Sequence, residues 1–205
     1  MDSEAARTAK TRLGLPSGLV ESRAETGLLT NVSPSSALRI PLRAGDSAKA
    51  AARWHLTSFP RMRGVEIRSA RDDERAAALE LRRRVFCEEQ GVPEREELDG
   101  RDADGLHLVA VDGEGAVLAT CRLLFAGSTV QFSRLAVERT ARRRGLASAL
   151  LAAAERETRA AGARRMVLHA QTYALDLYSA HGWQARGKKF VEAGIEHIAM
   201  EKSVA

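Results

Sequence analysis

Residues 142–151 read RRRGLASALL, three arginines set against a glycine and followed by an apolar run. The run extends as GLASALLAAAERETRAAG, where Leu146, Leu150 and Ala153 share one helical stripe and Gly162 supplies a stop. Just upstream, TVQFSRLAV (129–137) has the content of a strand. The stretch therefore predicts a strand, a short turn and a helix that begins near Arg144 or Gly145. The first N–H groups of a helix lack internal partners, and the helix dipole places partial positive charge there. Gly145 removes the Cβ that would keep a ligand from the backbone, Ala147 is nearly as small, and Arg142, Arg143 and Arg144 add forked donors. The spacing Arg142-x-x-Gly145-x-Ala147 suits a phosphate. Taken alone, the same residues equally describe a solvated turn punctuated by glycine. A nucleic-acid patch fits less well, because no aromatics interleave with the arginines.

Working outward, strand and helix patterns alternate. VEIRSA (65–70) has strand period, with Val65 and Ile67 on one face, and Asp72 and Asp73 suit the start of a helix. That helix carries Ala77, Leu81 and Val85 at helical spacing and stops at Gly91 and Pro93. EREELDGRDADG (94–105) reads as an acidic loop, either solvated or attractive to a cationic substrate. LHLVAVD and AVLATCRLLF, joined by GEG, predict a hairpin. After the 146–160 region come a buried strand, RMVLHAQT, a short helix, YALDLYSAHGW, and two strands, ARGKKFV and EHIAMEK, around EAGI. The order is β-α-β-β-β-α-β-α-β-β, an α/β protein with a mixed sheet.

The first 61 residues differ. They hold Pro16, Pro34, Pro41 and Pro60, four of the five prolines, and no sustained period, which predicts a flexible extension ahead of a domain over 62–205. Met62 is a candidate true start. The N-terminus has no apolar h-region, and the chain has no apolar run of about 20 residues, so neither a secretory signal nor a membrane span is expected. Only Cys87 and Cys121 occur, without metal-ligand spacing, so a reducing cytoplasm and no metal are expected. The net charge of +5 suits an anionic ligand without selecting one.

About thirty residues beyond the arginines lies DLYSAHGW. Here residues 65–202 resemble the GNAT family of acyl-CoA-dependent N-acyltransferases. That family's pyrophosphate loop reads Gln/Arg-x-x-Gly-x-Gly/Ala, and its later helix often reads Phe-Tyr-x-x-x-Gly-Phe. Leu177, Tyr178, Gly182 and Trp183 stand at the positions of that helix motif. RRRVFCEEQGVPEREELDGRD, LHAQTYALDLYSAHGW and EAGIEHIAM are similar to the ElaA/YjcF-like branch. Ser133 departs from it, since that branch usually has glycine before RLAV.

The resemblance implies acetyl-CoA as cosubstrate and a small-molecule amine as acceptor. Backbone groups of the strand through Leu135, Ala136 and Val137 would pair with the pantetheine arm. Arg142, Arg143, Arg144, Gly145, Leu146, Ala147 and Ser148 would hold the pyrophosphate. Tyr178 would face the sulfur as general acid, because a departing thiolate needs a proton and an amine near pKa 10.4 must lose one. Glu89, which ends a helix expected to border the acceptor cleft, is the candidate base, with His197 next. Asp99, Asp102, His107 and His169 are read as solvated or structural. An acyl-homoserine-lactone-synthase-like transferase and a non-catalytic acyl-CoA or nucleic-acid binding module remain as alternatives. No nucleic-acid or membrane partner is expected, and the oligomeric state, a homodimer included, is left open.

Overall fold

The computed structural model describes residues 64–204. The extension expected over 1–61 and the start at Met62 lie outside the described residues. Strand β1 (Val65–Ser69) leads to helix α1 (Asp72–Arg82), which passes directly into a π-helical segment, Arg83–Glu89. A four-residue helix α2 (Glu94–Glu97) and a 3-10 turn at Asp102–Asp104 precede β2 (Leu106–Asp112), β3 (Val117–Ala126) and β4 (Thr129–Val137). Then come α3 (Leu146–Ala160), β5 (Arg165–Gln171), α4 (Leu175–Ala180), β6 (Gln184–Glu192) and β7 (Ile195–Ser203). The seven strands form one sheet in the order β1-β2-β3-β4-β5-β7-β6.

The sheet is mixed because only β4 and β5 run parallel, joined by the crossover through α3. Their pairing is short: Thr129, Val130 and Gln131 match Arg165, Met166 and Val167, and the strands part beyond that point. On its other edge β4 stays paired with β3 to its end, but with a bulge. Arg122 pairs with Ser133 and Thr120 with Ala136, so β4 carries one extra residue there. Arg134 absorbs it at φ 57°. Ser133, which stands where the related branch usually has glycine, pairs with Arg122 and sits beside this left-handed residue.

Helix α3 covers one face. Leu146, Leu150, Leu151 and Ala154 pack on Leu108, Ala110, Cys121, Leu123, Val130 and Phe132. Each leucine so buried contributes about 1.5–3 kcal/mol. Helix α1 covers the opposite face, with Ala78 over Val109 and Val111, and Leu81 and Val85 over Ala136. The buried stripe is therefore Ala78 and Leu81 of α1, continued by Val85 of the π-helical segment; Ala77, expected on it from the sequence, is exposed. The three- and four-residue steps from 78 through 81 to 85 keep the stripe on the sheet.

The acidic loop is the larger correction. Glu97, Asp99 and Asp102 turn inward onto Arg82, Arg122 and Arg134, while Glu94, Glu96 and Asp104 stay exposed. Arg82, wholly buried, binds Glu97 and Asp102; Arg122, 1% exposed, binds Asp99 at 2.6 Å and Asp102 at 2.9 Å. Arg134 reaches Glu97 at 2.5 Å and Asp99 at 3.3 Å. Three guanidiniums and three carboxylates thus close a neutral network, because an unpaired buried charge would cost several kcal/mol. Glu97, Asp99 and Asp102 are therefore structural rather than merely solvated, and of the loop's acids only Glu94, Glu96 and Asp104 are left to solvent.

Candidate active site

The parting of β4 and β5 opens a cavity of about 2340 Å³. Ordinary small-molecule sites occupy roughly 300–1,000 Å³, so an extended ligand fits. At one end lies the turn between β4 and α3. Arg143 and Gly145 both take positive φ, 62° and 82°. The N–H of Ala149 is the first in α3 to reach a carbonyl, that of Gly145 at 3.0 Å. The N–H groups of Leu146, Ala147 and Ser148 therefore open outward at the helix mouth, and all three residues line the cavity with Arg142, Arg143 and Gly145. Arg142 is exposed; its Nε donates to the Val137 carbonyl at 3.1 Å and its Nη2 to Glu89 at 2.7 Å. This end offers backbone donors, guanidinium charge and a helix dipole together, which suits a diphosphate.

The middle of the cavity runs along the strand edges freed by the splay. Phe132, Leu135 and Val137 line it from β4, and Leu168 and His169 from β5. Peptide-like amides could dock on such an edge as an added strand. Leu177 and Tyr178 of α4 line the same passage. Tyr178 is 8% exposed, and its ring meets Trp183 edge-on at 6.2 Å, with Phe132 beyond Trp183 at the same separation. Gly182, at φ 78°, ends α4 and turns Trp183 back, so that the Trp183 N–H reaches the Tyr178 carbonyl at 3.1 Å. Burial, with Tyr173 and Cys121 nearby, pushes the Tyr178 phenol well above its ordinary value, so it stays protonated. Its hydroxyl has no hydrogen-bond partner among the described residues and is free to serve a ligand.

The far end is formed by the β6–β7 hairpin, Glu192 to Ile195 with His197, and by the α1–β2 connection. The turn between the strands is Ala193 and Gly194, both at positive φ, as two-residue hairpin loops require. Gln171 binds Gln90 at 2.9 Å, tying the end of the π-helical segment to β5 above this end.

Of the residues singled out from sequence, Leu135, Val137, Arg142, Arg143, Gly145, Leu146, Ala147, Ser148 and Tyr178 line this one cavity. Ala136, Arg144 and Glu89 do not. Ala136 points under α1 and is 1% exposed, as strand alternation next to Leu135 requires. Arg144 is exposed. Glu89 is held by Arg142 outside the lining. Asp99 and Asp102 are fixed as anions: burial alone would raise them, but the Arg122 and Arg82 guanidiniums outweigh it and hold both low. Burial pushes the Cys87 thiol up, with Glu97 and Glu94 adding to it, so it is a poor nucleophile. His169 and Glu192, 23 residues apart, meet at 2.7 Å, a pairing that no sequence spacing announces. Among the described residues no group of three or more His, Cys, Asp and Glu could hold a metal, and no helix is long and apolar enough to cross a membrane.

A seven-stranded mixed sheet splayed at its one parallel pair, with a helix mouth facing the gap, is the arrangement of an acyl-CoA N-acyltransferase. Residues 71–204 match the family described as Acetyltransferase (GNAT) domain, and the chain belongs to that family. It is similar to the uncharacterized N-acetyltransferase YjcF of Bacillus subtilis, with 34% identity over 126 residues that cover 61% of this chain and 89% of YjcF. Among solved structures it shares its fold with Escherichia coli ElaA, at 23% identity and a TM-score of 0.60, over 67% of this chain and 99% of that one. YncA of Salmonella typhimurium, solved with its cofactor acetyl-CoA, has the same fold at 20% identity and a TM-score of 0.55, over 69% of this chain and 95% of that one.

Proposed function

We propose that this enzyme moves an acetyl group from acetyl-CoA directly to the nitrogen of a small-molecule amine, with Tyr178 as the proton donor. The observation that carries the reading is the continuity of one cavity from the helix mouth at Leu146, Ala147 and Ser148, along the unpaired edge of β4, to Tyr178. The thioester supplies an activated carbonyl carbon. The 142–148 turn holds the diphosphate, with Arg142 and Arg143 adding charge to the backbone donors. The β4 edge at Leu135 and Val137 aligns the arm, and a backbone N–H there stabilises the oxyanion.

Tyr178 donates a hydrogen bond to the sulfur as the C–S bond breaks. Its raised pKa keeps the donor loaded throughout the working pH range, and the proton moves as the amine nitrogen gives one up on the acceptor side. Arg142 bridges Glu89 and the Val137 carbonyl, which fixes a guanidinium at the mouth before any ligand arrives. Direct transfer needs no acyl-enzyme, which accords with the raised thiols of Cys87 and Cys121.

Calorimetry with acetyl-CoA tests the binding half of the reading, and release of free thiol on adding an amine tests the transfer half. Both are expected. Heat of binding without thiol release across an amine panel would favour an acyl-CoA binding module. Absence of any interaction with acetyl-CoA would end the reading altogether.

A further inference from the structure

We propose that His169 is the general base of this transfer, taking the amine proton at Nε2, with Glu192 as the residue that positions its ring. The inference rests on the acetyl-transfer reading and adds to it the group that the sequence left open.

Position is the first argument. On β5, Met166, Leu168 and Ala170 enter the core beneath α3 and α4, the same cluster that holds Tyr178. Alternation along the strand sends His169 to the opposite face. It lies two residues beyond Val167, the last residue of β5 paired to β4. A group threaded through the gap therefore meets a phenol from one face and an imidazole from the other. Aminolysis of a thioester needs that division, because the leaving sulfur and the attacking nitrogen lie on different sides of the carbonyl carbon.

Protonation is the second. The His169 Nδ1 is 2.7 Å from a carboxylate oxygen of Glu192. An ionised carboxylate only accepts, so Nδ1 carries the hydrogen, and in the neutral ring the lone pair is then at Nε2. Glu192 is held below its ordinary value despite burial, chiefly by the hydrogen bond from His169, so it is the anion this argument needs. Nε2 has no partner among the described residues, and the ring lines the cavity. Phe190 packs edge-on at 4.8 Å and fixes the ring plane.

The other candidates are worse placed. His197 also lines the cavity, but it sits on β7, one strand farther from the gap, opposite Gln171. Its Nδ1 donates to the neutral Ile195 carbonyl at 2.8 Å, which stabilises an imidazolium less than a carboxylate does. Glu97 and Asp99 are committed to Arg82, Arg122 and Arg134. The charged and titratable groups lining this end are Glu192 of β6, His197 of β7, Arg134 of β4, Arg122 of β3, and Arg95, Glu96, Glu97, Asp99, Arg101 and Asp104 of the α1–β2 connection.

The step balances. The C–N bond forms as one N–H proton of the neutral amine passes to His169 Nε2. The C–S bond breaks as the sulfur takes a proton from Tyr178. Return of the imidazolium proton to the phenolate resets both groups, so the proton lost by the amine ends on the thiol.

The test uses the full chain, acetyl-CoA and hydroxylamine, an acceptor small enough to reach the site whatever the natural amine. His169→Gln is expected to lower kcat at least about 100-fold, the usual scale of general-base catalysis. Its acetyl-CoA affinity by calorimetry should stay within twofold, and the acidic limb of the pH profile should reduce to that of hydroxylamine's own ionisation. His169→Ala should regain activity with added imidazole. Glu192→Gln should lower kcat about tenfold and move the acidic limb toward lower pH, which a purely structural loss would not do. Nitrogen-15 NMR, independent of turnover, should show Nδ1 protonated and Nε2 bare in the resting protein. Acetyl-CoA binding with no transfer to hydroxylamine overturns the proposal, as does an unchanged kcat in His169→Gln. So does a loss confined to His197→Gln, or an unrescued His169→Ala. In the three variant outcomes acetyl-CoA binding and transfer stand, and the broader reading with them; binding without transfer to hydroxylamine leaves only the binding half of that reading, and absence of binding removes both.

Discussion

Gly105 stands against the aliphatic stem of Arg122 with no room for a methyl group: a Cβ at 105 would lie 2.7 Å from Arg122 Cγ and 3.0 Å from Cδ. Arg122 cannot retreat, because its guanidinium is forked on Asp99 and touches Asp102. Gly105→Ala should therefore lower stability by about 1–3 kcal/mol, the range for overpacking a tight core. Thermal unfolding is the measurement, with a fall of several °C expected for a domain of this size.

The same network sets a pH dependence. Asp99 is held well below its ordinary value, so its contribution to stability is full above the unfolded aspartate pKa near 3.9 and is lost as the pH falls through its folded value. Asp102 has the same sign. Glu97, which burial pushes up, has the opposite sign. Comparing wild type with Asp99→Asn isolates the first term. Urea melts should show wild type the more stable by a constant margin above about pH 5, narrowing below about pH 4.

Tyr178→Phe keeps the ring against Trp183 and removes only a hydroxyl that no described residue binds. The melting temperature should change little. The kcat for thiol release should fall about 100-fold, with acetyl-CoA affinity within twofold, since the lost interaction belongs to the transition state. An unchanged kcat would remove Tyr178 from the proton path.

At the cavity mouth, Gly145 occupies φ 82°, where a branched side chain costs about 1–2 kcal/mol and would also shield the helix N–H groups. Gly145→Val should weaken acetyl-CoA binding at least about tenfold by calorimetry. Reversing Arg142 and Arg143 to glutamate should weaken it comparably. The wild-type affinity should fall with added salt, as an exposed guanidinium–phosphate contact requires.

Much of the fold was legible in the chain because its signals are local. TVQFSRLAV is β4 from end to end, Leu146, Leu150 and Ala153 are the buried stripe of α3, and Gly162 and Gly182 sit at the positive φ where the helices stop. Each follows from side-chain period or from glycine's freedom, which neighbouring residues decide among themselves. The turn proposed to hold the diphosphate was legible for the same reason: backbone donors, glycine and arginines are contiguous between residues 142 and 148.

What the tertiary structure alone decided is long-range. Glu97, Asp99 and Asp102, indistinguishable in the sequence from the other acids of 94–105, gained partners only because the sheet brought Arg122 and Arg134 beneath them and α1 brought Arg82. Glu89, the candidate base of the sequence, pairs with Arg142, 53 residues away, which no spacing announces. His169 looked like one strand histidine among three. It gained its carboxylate only because β7 pairs between β5 and β6, while a bulge between Arg186 and Phe190 sets where Glu192 falls. A side chain's period is written in its neighbours, but its charge partner depends on which strands the sheet places side by side.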